Sequence, residues 1–350
     1  MTSDVCSRLK INGESSTPKY KQIVNSIVED IEKEYLIVGD KIPSISEISE
    51  EYLLSRDTVE KALNILKDRK IILSVKGKGY YVAKTIKQSK PKILLLLSKL
   101  CNCTLKIYNS FVASMGLDSQ VELQLYGCDP EVLAKLLQEN MDAYDYYVIM
   151  PHFKLSSNSD ACKKAKALYY INQIPGDKLV LLDNHLPELG EDVASIYQDF
   201  ETDIFQALKK GMNKLYKYEK LILVFPSNAI YPFPIGIKDG FEKFCRRYGF
   251  DFEIWDTVNP NLELEPKDAY VLVEESDLVN LMNQVNRTEY ILGEDIGIIS
   301  YHDTSLKDLL GITVVSTNFT AMGETAAFMI KKRKREIVKS VFHFIDRGSL

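Results

Sequence analysis

From Lys92 onward, short apolar runs alternate with stretches of helical periodicity, and this alternation leaves few folds open. The runs occupy residues 92–97, 146–150, 179–182, 221–225, 269–273 and 297–300. Between them, residues 131–138, 202–216, 238–248 and 277–286 repeat their apolar positions at three- and four-residue steps, the period of an amphipathic helix. A strand with no polar face must be covered on both sides. In a chain that returns through helices, that means parallel sheets sandwiched between helical layers. The span 92–350 exceeds what one six-stranded sheet needs, so two lobes with a cleft between them are expected. Ligands of open α/β sheets sit beyond the carboxyl ends of the strands, which here means in the cleft. No internal repeat and no low-complexity segment interrupts the pattern.

The first 84 residues read differently. Val59, Ala62, Leu63 and Leu66 form one face of a short helix, with Ser55 placed to cap its free N–H groups. Residues 71–75 read as a strand, Lys76-Gly77-Lys78-Gly79 as a tight turn, and residues 80–82 as the returning strand. Upstream, Tyr20, Ile23, Val24, Ile27, Val28 and Ile31 predict a helix ending near Tyr35. Residues 38–41 break it, and Ile42-Pro43 leads into a second helix. Ser44 and Glu47 there have capping-box spacing, and Ile45, Ile48 and Tyr52 face inward. Helix, capped helix, turn, helix, hairpin is the order of a winged helix-turn-helix. Between Arg56 and Lys84 there are eight basic and three acidic side chains, a local balance of +5. A basic helix beside a glycine-tipped basic hairpin suits the phosphates and grooves of DNA, although a merely solvated surface carries similar charge.

The landmarks Tyr20-Lys21-Gln22-Ile23, Gly39-Asp40-Lys41-Ile42-Pro43-Ser44, Ser55-Arg56-Asp57-Thr58-Val59, Ala62-Leu63 and Gly77-Lys78-Gly79-Tyr80-Tyr81-Val82 resemble the DNA-binding domain of GntR-family transcription regulators. The resemblance implies that Arg56 and Thr58 open the recognition helix and that Gly77 lets the wing approach the minor groove. Tyr20, Ser44, Ser55, Asp57, Lys61, Lys76 and Lys78 complete the implied DNA-contacting set. The family often carries a basic residue near Ser46 and an arginine at Glu60, and both are missing. Base preference is therefore expected to differ, with Asp57 or Glu60 able to accept from a cytosine amine. The duller role for Glu60 is a surface pair with Asn64 or Lys67.

Thr85-Ile86-Lys87-Gln88-Ser89-Lys90-Pro91 is a polar linker ending in proline. It divides the chain into a winged helix (1–84), a linker (85–91) and an effector and dimerisation domain (92–350). The last of these resembles the two-lobed, periplasmic-binding-protein-like (type I) domain of LacI-type regulators. The matching residues are Leu181-Leu182-Asp183, Tyr197-Gln198-Asp199, Lys238-Asp239-Gly240-Phe241, Ile298-Ile299-Ser300-Tyr301-His302-Asp303, Val314-Val315-Ser316-Thr317-Asn318-Phe319 and Arg347-Gly348-Ser349. A GntR head on this body is similar to the arabinose-repressor-like subgroup, and within it to a fucose-responsive repressor. The resemblance implies a sugar site at Asp183, Glu275, His302, Asp303 and Asn318-Phe319, with Tyr108 and His152 contributing. The family's arginine before Gly240 is replaced by Ile237, with Lys238 adjacent, and an acid is replaced by His302. These departures imply a less polar ligand edge, such as a methyl group, met by the aromatic loop Tyr231-Pro232-Phe233-Pro234. Each residue also has a plainer role. Asp183 and Glu275 could cap helices, His152 and His302 could be structural, Tyr108 and Phe319 could be core, and residues 331–335 read as a solvated helix end.

Charge and cysteines narrow the class. The net charge of −5 is uneven: residues 1–85 carry 14 basic and 13 acidic groups, and residues 86–350 carry 30 and 36. Six cysteines (6, 101, 103, 128, 162, 245) follow no disulfide rhythm, and Cys101-Asn102-Cys103 lacks the second pair or histidine of a zinc site. Reduced thiols are expected. The N-terminus has no apolar signal core, and residues 93–97 are far short of the about 20 needed to span a bilayer, so a cytoplasmic protein is expected. There is no G-x-S-x-G, no glycine-rich phosphate loop, no clustered metal ligands and no evident Schiff-base lysine, so neither catalysis nor a cofactor is expected. These readings converge on a dimeric, sugar-released repressor reading a palindromic operator. The competing readings are a sensor whose head binds protein and a sugar-processing enzyme.

Overall fold

The computed structural model describes residues 9–12, 17–33, 35–84, 90–154, 158–190, 192–227, 229, 232–260 and 263–350. The chain divides into two compact units, Met1–Ser89 and Lys90–Leu350.

In the first unit, α1 (Lys19–Glu32), α2 (Ile45–Glu51) and α3 (Arg56–Asp68) surround a core of fully buried Ile23, Ile27, Ile31, Ile48, Val59, Leu63 and Leu66. Ser44 closes a complete capping box with Glu47, and Ser55 Oγ accepts from the Thr58 N–H, so both downstream helices begin where their side chains can satisfy free backbone donors. The first helix stops at Glu32, earlier than the expected Tyr35, where Lys33 N–H closes on Glu29 O. Residues 41–42, read as part of a break, form a short strand instead. β1 (Lys41–Ile42), β2 (Ile72–Val75) and β3 (Gly79–Val82) make an antiparallel sheet ordered β1-β3-β2, with Ile42 opposite Tyr80 and Val75 opposite Gly79. Two residues are too few to show strand periodicity, so only the pairing partner reveals β1. The wing turn needs φ of +76° at Gly77, a conformation that costs other residues.

The second unit holds two six-stranded sheets. One is ordered β14-β8-β7-β6-β4-β5 and is parallel throughout: β4 (Lys92–Leu97), β5 (Gln120–Leu125), β6 (Tyr146–Ile149), β7 (Leu179–Asp183), β8 (Ala194–Tyr197) and β14 (Ile337–Lys339). Helices α4 (Asn102–Met115), α5 (Pro130–Asn140) and α6 (Asn158–Gln173) return the chain between its strands. The other is ordered β10-β9-β11-β12-β13-β15: β9 (Lys220–Val224), β10 (Asp251–Trp255), β11 (Asp268–Leu272), β12 (Ile296–Tyr301), β13 (Thr313–Thr317) and, antiparallel at the edge, β15 (Phe342–Ile345). Its helices are α7 (Phe200–Lys210), α8 (Met212–Leu215), α9 (Gly236–Tyr248), α10 (Glu275–Val285) and α11 (Ser305–Leu309).

The expected single helix over 202–216 is broken at Gly211. A side chain there would lie 2.8 Å from the Phe344 ring, so the chain turns where β15 packs against it. Strands β5, β10 and β14 escape a search for apolar runs because they are edge strands with one wet face, and their burial alternates.

The chain passes between the lobes three times. β8 leads into α7, β13 leads into α12 (Phe319–Lys332), which packs back on the first lobe beside Ile107 and Phe111, and β14 leads into β15. The crossings lie side by side and are bonded to one another. Ser340 N donates to Tyr197 O at 2.7 Å and Asn318 N to Val341 O at 3.1 Å. Lys339 Nζ reaches Asp203 at 2.9 Å and Asp199 at 3.5 Å across the same strap.

Candidate ligand cleft and nucleic-acid interface

In the first unit, Arg56 and Asp57 stand exposed at the first turn of α3, and Lys61 follows one turn later with its ammonium 4.3 Å from the centre of the Tyr20 ring. Ser55 Oγ and Thr58 Oγ1 are 2.8 Å apart, so both hydroxyls are engaged in holding the helix start. Ser44 is committed likewise: its N–H donates to the Glu47 carboxylate at 2.6 Å, and that bond holds the Glu47 carboxyl below its ordinary range. Among the described residues Arg56 has no carboxylate partner, and Glu60 pairs with neither Asn64 nor Lys67. Lys76, Gly77 and Lys78 form the exposed tip of the wing, braced by Tyr81 Oη donating to Lys78 O at 3.3 Å. A helix start and a hairpin tip thus present unpaired cations without burying them, which suits a polyanion.

In the second unit, the carboxyl ends of both sheets line a cavity of about 380 Å³, a size common for small-molecule sites. Asp183 ends β7 with φ of +69° and turns inward. His152 Nε2 lies 2.8 Å from its Oδ2, Gln198 Nε2 donates to its Oδ1, and Thr317 Oγ1 donates to Gln198 Oε1. Burial pushes the Asp183 carboxyl up, but the contacts with His152 and Gln198 outweigh it and hold it below its ordinary range. The carboxylate is therefore fixed by its neighbours, and it caps no helix.

Opposite, His302 ends β12 with φ of +66° and meets the Phe319 ring edge-on at 5.2 Å. Its Nδ1 is buried without a partner among the described residues. Burial first, and the nearby Lys307 ammonium second, push its pKa down to about 4, so the ring is neutral at physiological pH. Lys307 is 3% exposed and donates to Tyr301 O at 2.7 Å and His302 O at 3.1 Å. An ammonium has three N–H groups, so one is left for the cavity. Lys106 of α4 donates to Asp303 O at 2.8 Å, and Lys99 Nζ stands 5.2 Å from the Phe233 ring centre, so both lobes contribute to one site.

Six of the expected ligand residues come together here: His152, Asp183, Phe233, Glu275, His302 and Phe319. Glu275 lies in the first turn of α10 and Glu274 is the residue at its cap, with no side-chain cap bond, so Glu275 does not cap the helix. Three others are placed elsewhere. Asp303 turns away to Arg347 at 2.8 Å, because the strained His302 reverses the chain and sends successive side chains to opposite sides. Lys238 is half-buried off the cavity, and its neighbour Ile237, one helical step away, lines it instead. Tyr108 packs against the core beneath α12. Asn318 caps α12 through Ala321 N at 2.9 Å, and Tyr231 lies outside the described residues. Sequence reasoning missed Gln198, Lys307 and the cysteines of the wall. Gln198 stood inside a quoted motif, whereas nothing in the sequence marks Lys307.

Among the described residues no group of three or more His, Cys, Asp or Glu could hold a metal, and no helix is long and apolar enough to cross a membrane. Residues 19–82 match the family model "Bacterial regulatory proteins, gntR family". The HTH-type transcriptional repressor YtrA of Bacillus subtilis is 34% identical over 79 residues, 23% of this chain and 61% of that protein. The chain thus spans less than two thirds of that relative's length. Two solved structures share the fold of the body. A LacI family regulator of Lactobacillus casei with bound glucose has a TM-score of 0.55 at 15% identity, covering 74% of this chain and 99% of that one. A LacI family regulator of Silicibacter pomeroyi has a TM-score of 0.58 at 12% identity, covering 74% and 98%. The chain therefore carries a GntR-type helix-turn-helix domain at its N-terminus, followed by a body with the fold of LacI-type and periplasmic binding proteins.

Proposed function

We propose that this protein is a transcription regulator whose winged helix binds duplex DNA and whose cleft binds a monosaccharide that changes that affinity. The observation that carries the reading is the cleft: a cavity of about 380 Å³ at the strand ends of two lobes, below a gntR-type head. Its walls combine fixed polar groups, Asp183, His152 and Lys307, with the apolar faces of Phe233, Ile237 and Phe319. Hydroxyls need the first set, and C–H faces need the second. The similar Lactobacillus casei regulator, solved with glucose, supports a sugar as the class of ligand. Ile237 and Phe319 favour a sugar with an apolar edge, and a deoxyhexose carrying a methyl group, L-fucose, is the ligand we propose.

The remaining parts follow the same logic. Two copies would set two heads on the half-sites of a palindrome. Sugar binding would close the lobes and change the spacing of the heads, weakening operator binding by a coupling free energy of about 1–3 kcal/mol, which is repression relieved by the sugar. The test is thermal unfolding of the whole chain against monosaccharides, together with DNA binding selected from random duplexes. A ligand at a hundredfold its Kd stabilises by about 2.7 kcal/mol. A flat sugar panel would overturn the cleft reading, and binding with no salt-dependent preference for duplex DNA would overturn the head reading.

A further inference from the structure

Three cysteines stand in the wall of the cleft: Cys101, Cys103 and Cys128. Cys101 is the residue immediately before α4, a helix of 14 residues, and Cys103 is in its first turn. The two side chains point at each other, and the Cys103 thiol donates to the Cys101 sulfur. Thr104 Oγ1 stands 3.5 Å from the same sulfur and takes the Cys101 N–H at 2.9 Å. Both thiols are partly exposed toward the cavity, whereas Cys128 is buried and its Sγ is 3.8 Å from Ser98 O.

We propose that Cys101 and Cys103 are a peroxide-oxidisable thiol pair built into the cleft wall, with Cys101 as the attacking sulfur and Cys103 as the resolving one. The asymmetry of the pair assigns the roles. The bond from Cys103 is the largest influence lowering the Cys101 thiol, to about 5, and Thr104 adds to it against the cost of burial. Cys103 is held protonated by that same bond and by burial. An anionic sulfur at a helix start, with its partner still carrying a proton, is the arrangement that attacks an electrophilic oxygen.

The chemistry balances with a hydroperoxide as oxidant. The Cys101 thiolate attacks one peroxide oxygen, the O–O bond breaks, and hydroxide leaves to become water, giving a sulfenic acid on Cys101. With the anion gone, the bond that held the Cys103 proton is lost. The Cys103 sulfur then displaces the sulfenic oxygen, which leaves with the Cys103 proton as a second water, and an S–S bond forms. Two thiols lose two electrons in total and one peroxide becomes two waters. Because both sulfurs line the cavity, their oxidation reshapes the surface a ligand meets. That consequence for ligand binding rests on the functional reading above, whereas the thiol chemistry does not.

The test uses the reduced full chain and hydrogen peroxide with no sugar present, so it is independent of whether the cleft takes a sugar. Thiols are counted after denaturation, and peptides are mapped by mass. Of the six cysteines, two should be lost together, with a reductant-reversible disulfide within the peptide that holds Cys101 and Cys103. Cys103→Ser should stop at a sulfenic acid on Cys101 that a dione probe captures, and Cys101→Ser should leave Cys103 reduced at the same dose. First oxidation at exposed Cys162, a bond from Cys101 to Cys128, or a Cys101 no faster than Cys162 would overturn the proposal. The wild-type map alone decides this, so a substitution that misfolds does not blunt it.

Discussion

The head and the cleft use polar residues in opposite ways. At the head, Arg56, Lys76 and Lys78 are exposed and stand on a helix start and a hairpin tip, each shaped by residues within a few positions in the chain. In the cleft, Asp183, Gln198 and Thr317 are buried, bonded to one another, and separated by up to 119 positions. An exposed cation can be lost with little cost to folding, because it was never desolvated. A buried, partnered carboxylate cannot. Binding and stability should therefore separate cleanly in the head and be entangled in the body.

The sharpest test of that contrast is Asp183→Ala. It leaves His152 and Gln198 buried without their acceptor, and breaking such a contact costs about 3–5 kcal/mol. Chemical denaturation should show the body losing stability while the head's own transition stays in place. Next in size is the acid response of His302. Its folded pKa of about 4 lies below the ordinary 6.5. The neutral ring thus adds stability that is fully present above pH 6.5 and is lost as the pH falls toward 4, on the order of 3 kcal/mol across that window. His302→Gln should flatten the pH dependence of the melting midpoint there, and an unchanged slope would show that the ring does not stay neutral in the fold.

The head's side of the comparison predicts smaller effects on folding and larger ones on DNA. Arg56→Ala should weaken binding to the preferred duplex by about 1–3 kcal/mol, with the melting midpoint and any sugar stabilisation unchanged. A coincident loss of stability would break the separation. Lys78→Ala should act most weakly, reducing affinity evenly across sequences and shrinking the salt slope by about 1.

The same contrast explains how much could be read from the sequence. Ser44, Ser55 and Gly77 announce the head because a cap and a turn are local demands, and the fold there follows from a few adjacent residues. The body's central strands were legible because burial on both faces leaves an unbroken apolar run such as Lys92–Leu97. Edge strands such as β5 and β14 were not, since their sequence is half polar. The site was legible only in outline. Strand ends pointed to Asp183 and His302, but the left-handed turn at His302 swung Asp303 toward Arg347, and a single helical step exchanged Lys238 for Ile237. Lys307 becomes visible only once the carbonyls of Tyr301 and His302 are seen to converge on it.

The three bonded crossings between the lobes have a mechanical consequence. Strands hydrogen-bonded edge to edge make a flat strap that is compliant to bending across its face and stiff to shear in its plane, because shear would have to break the bonds from Ser340 to Tyr197 and from Asn318 to Val341 together. The lobes are thus restricted to one soft direction of movement, opening and shutting about the strap. Gln198 and Thr317 sit within it, bonded to each other and through Asp183 to the cleft floor. A ligand that displaced His152 or Asp183 would pull on the flexure itself.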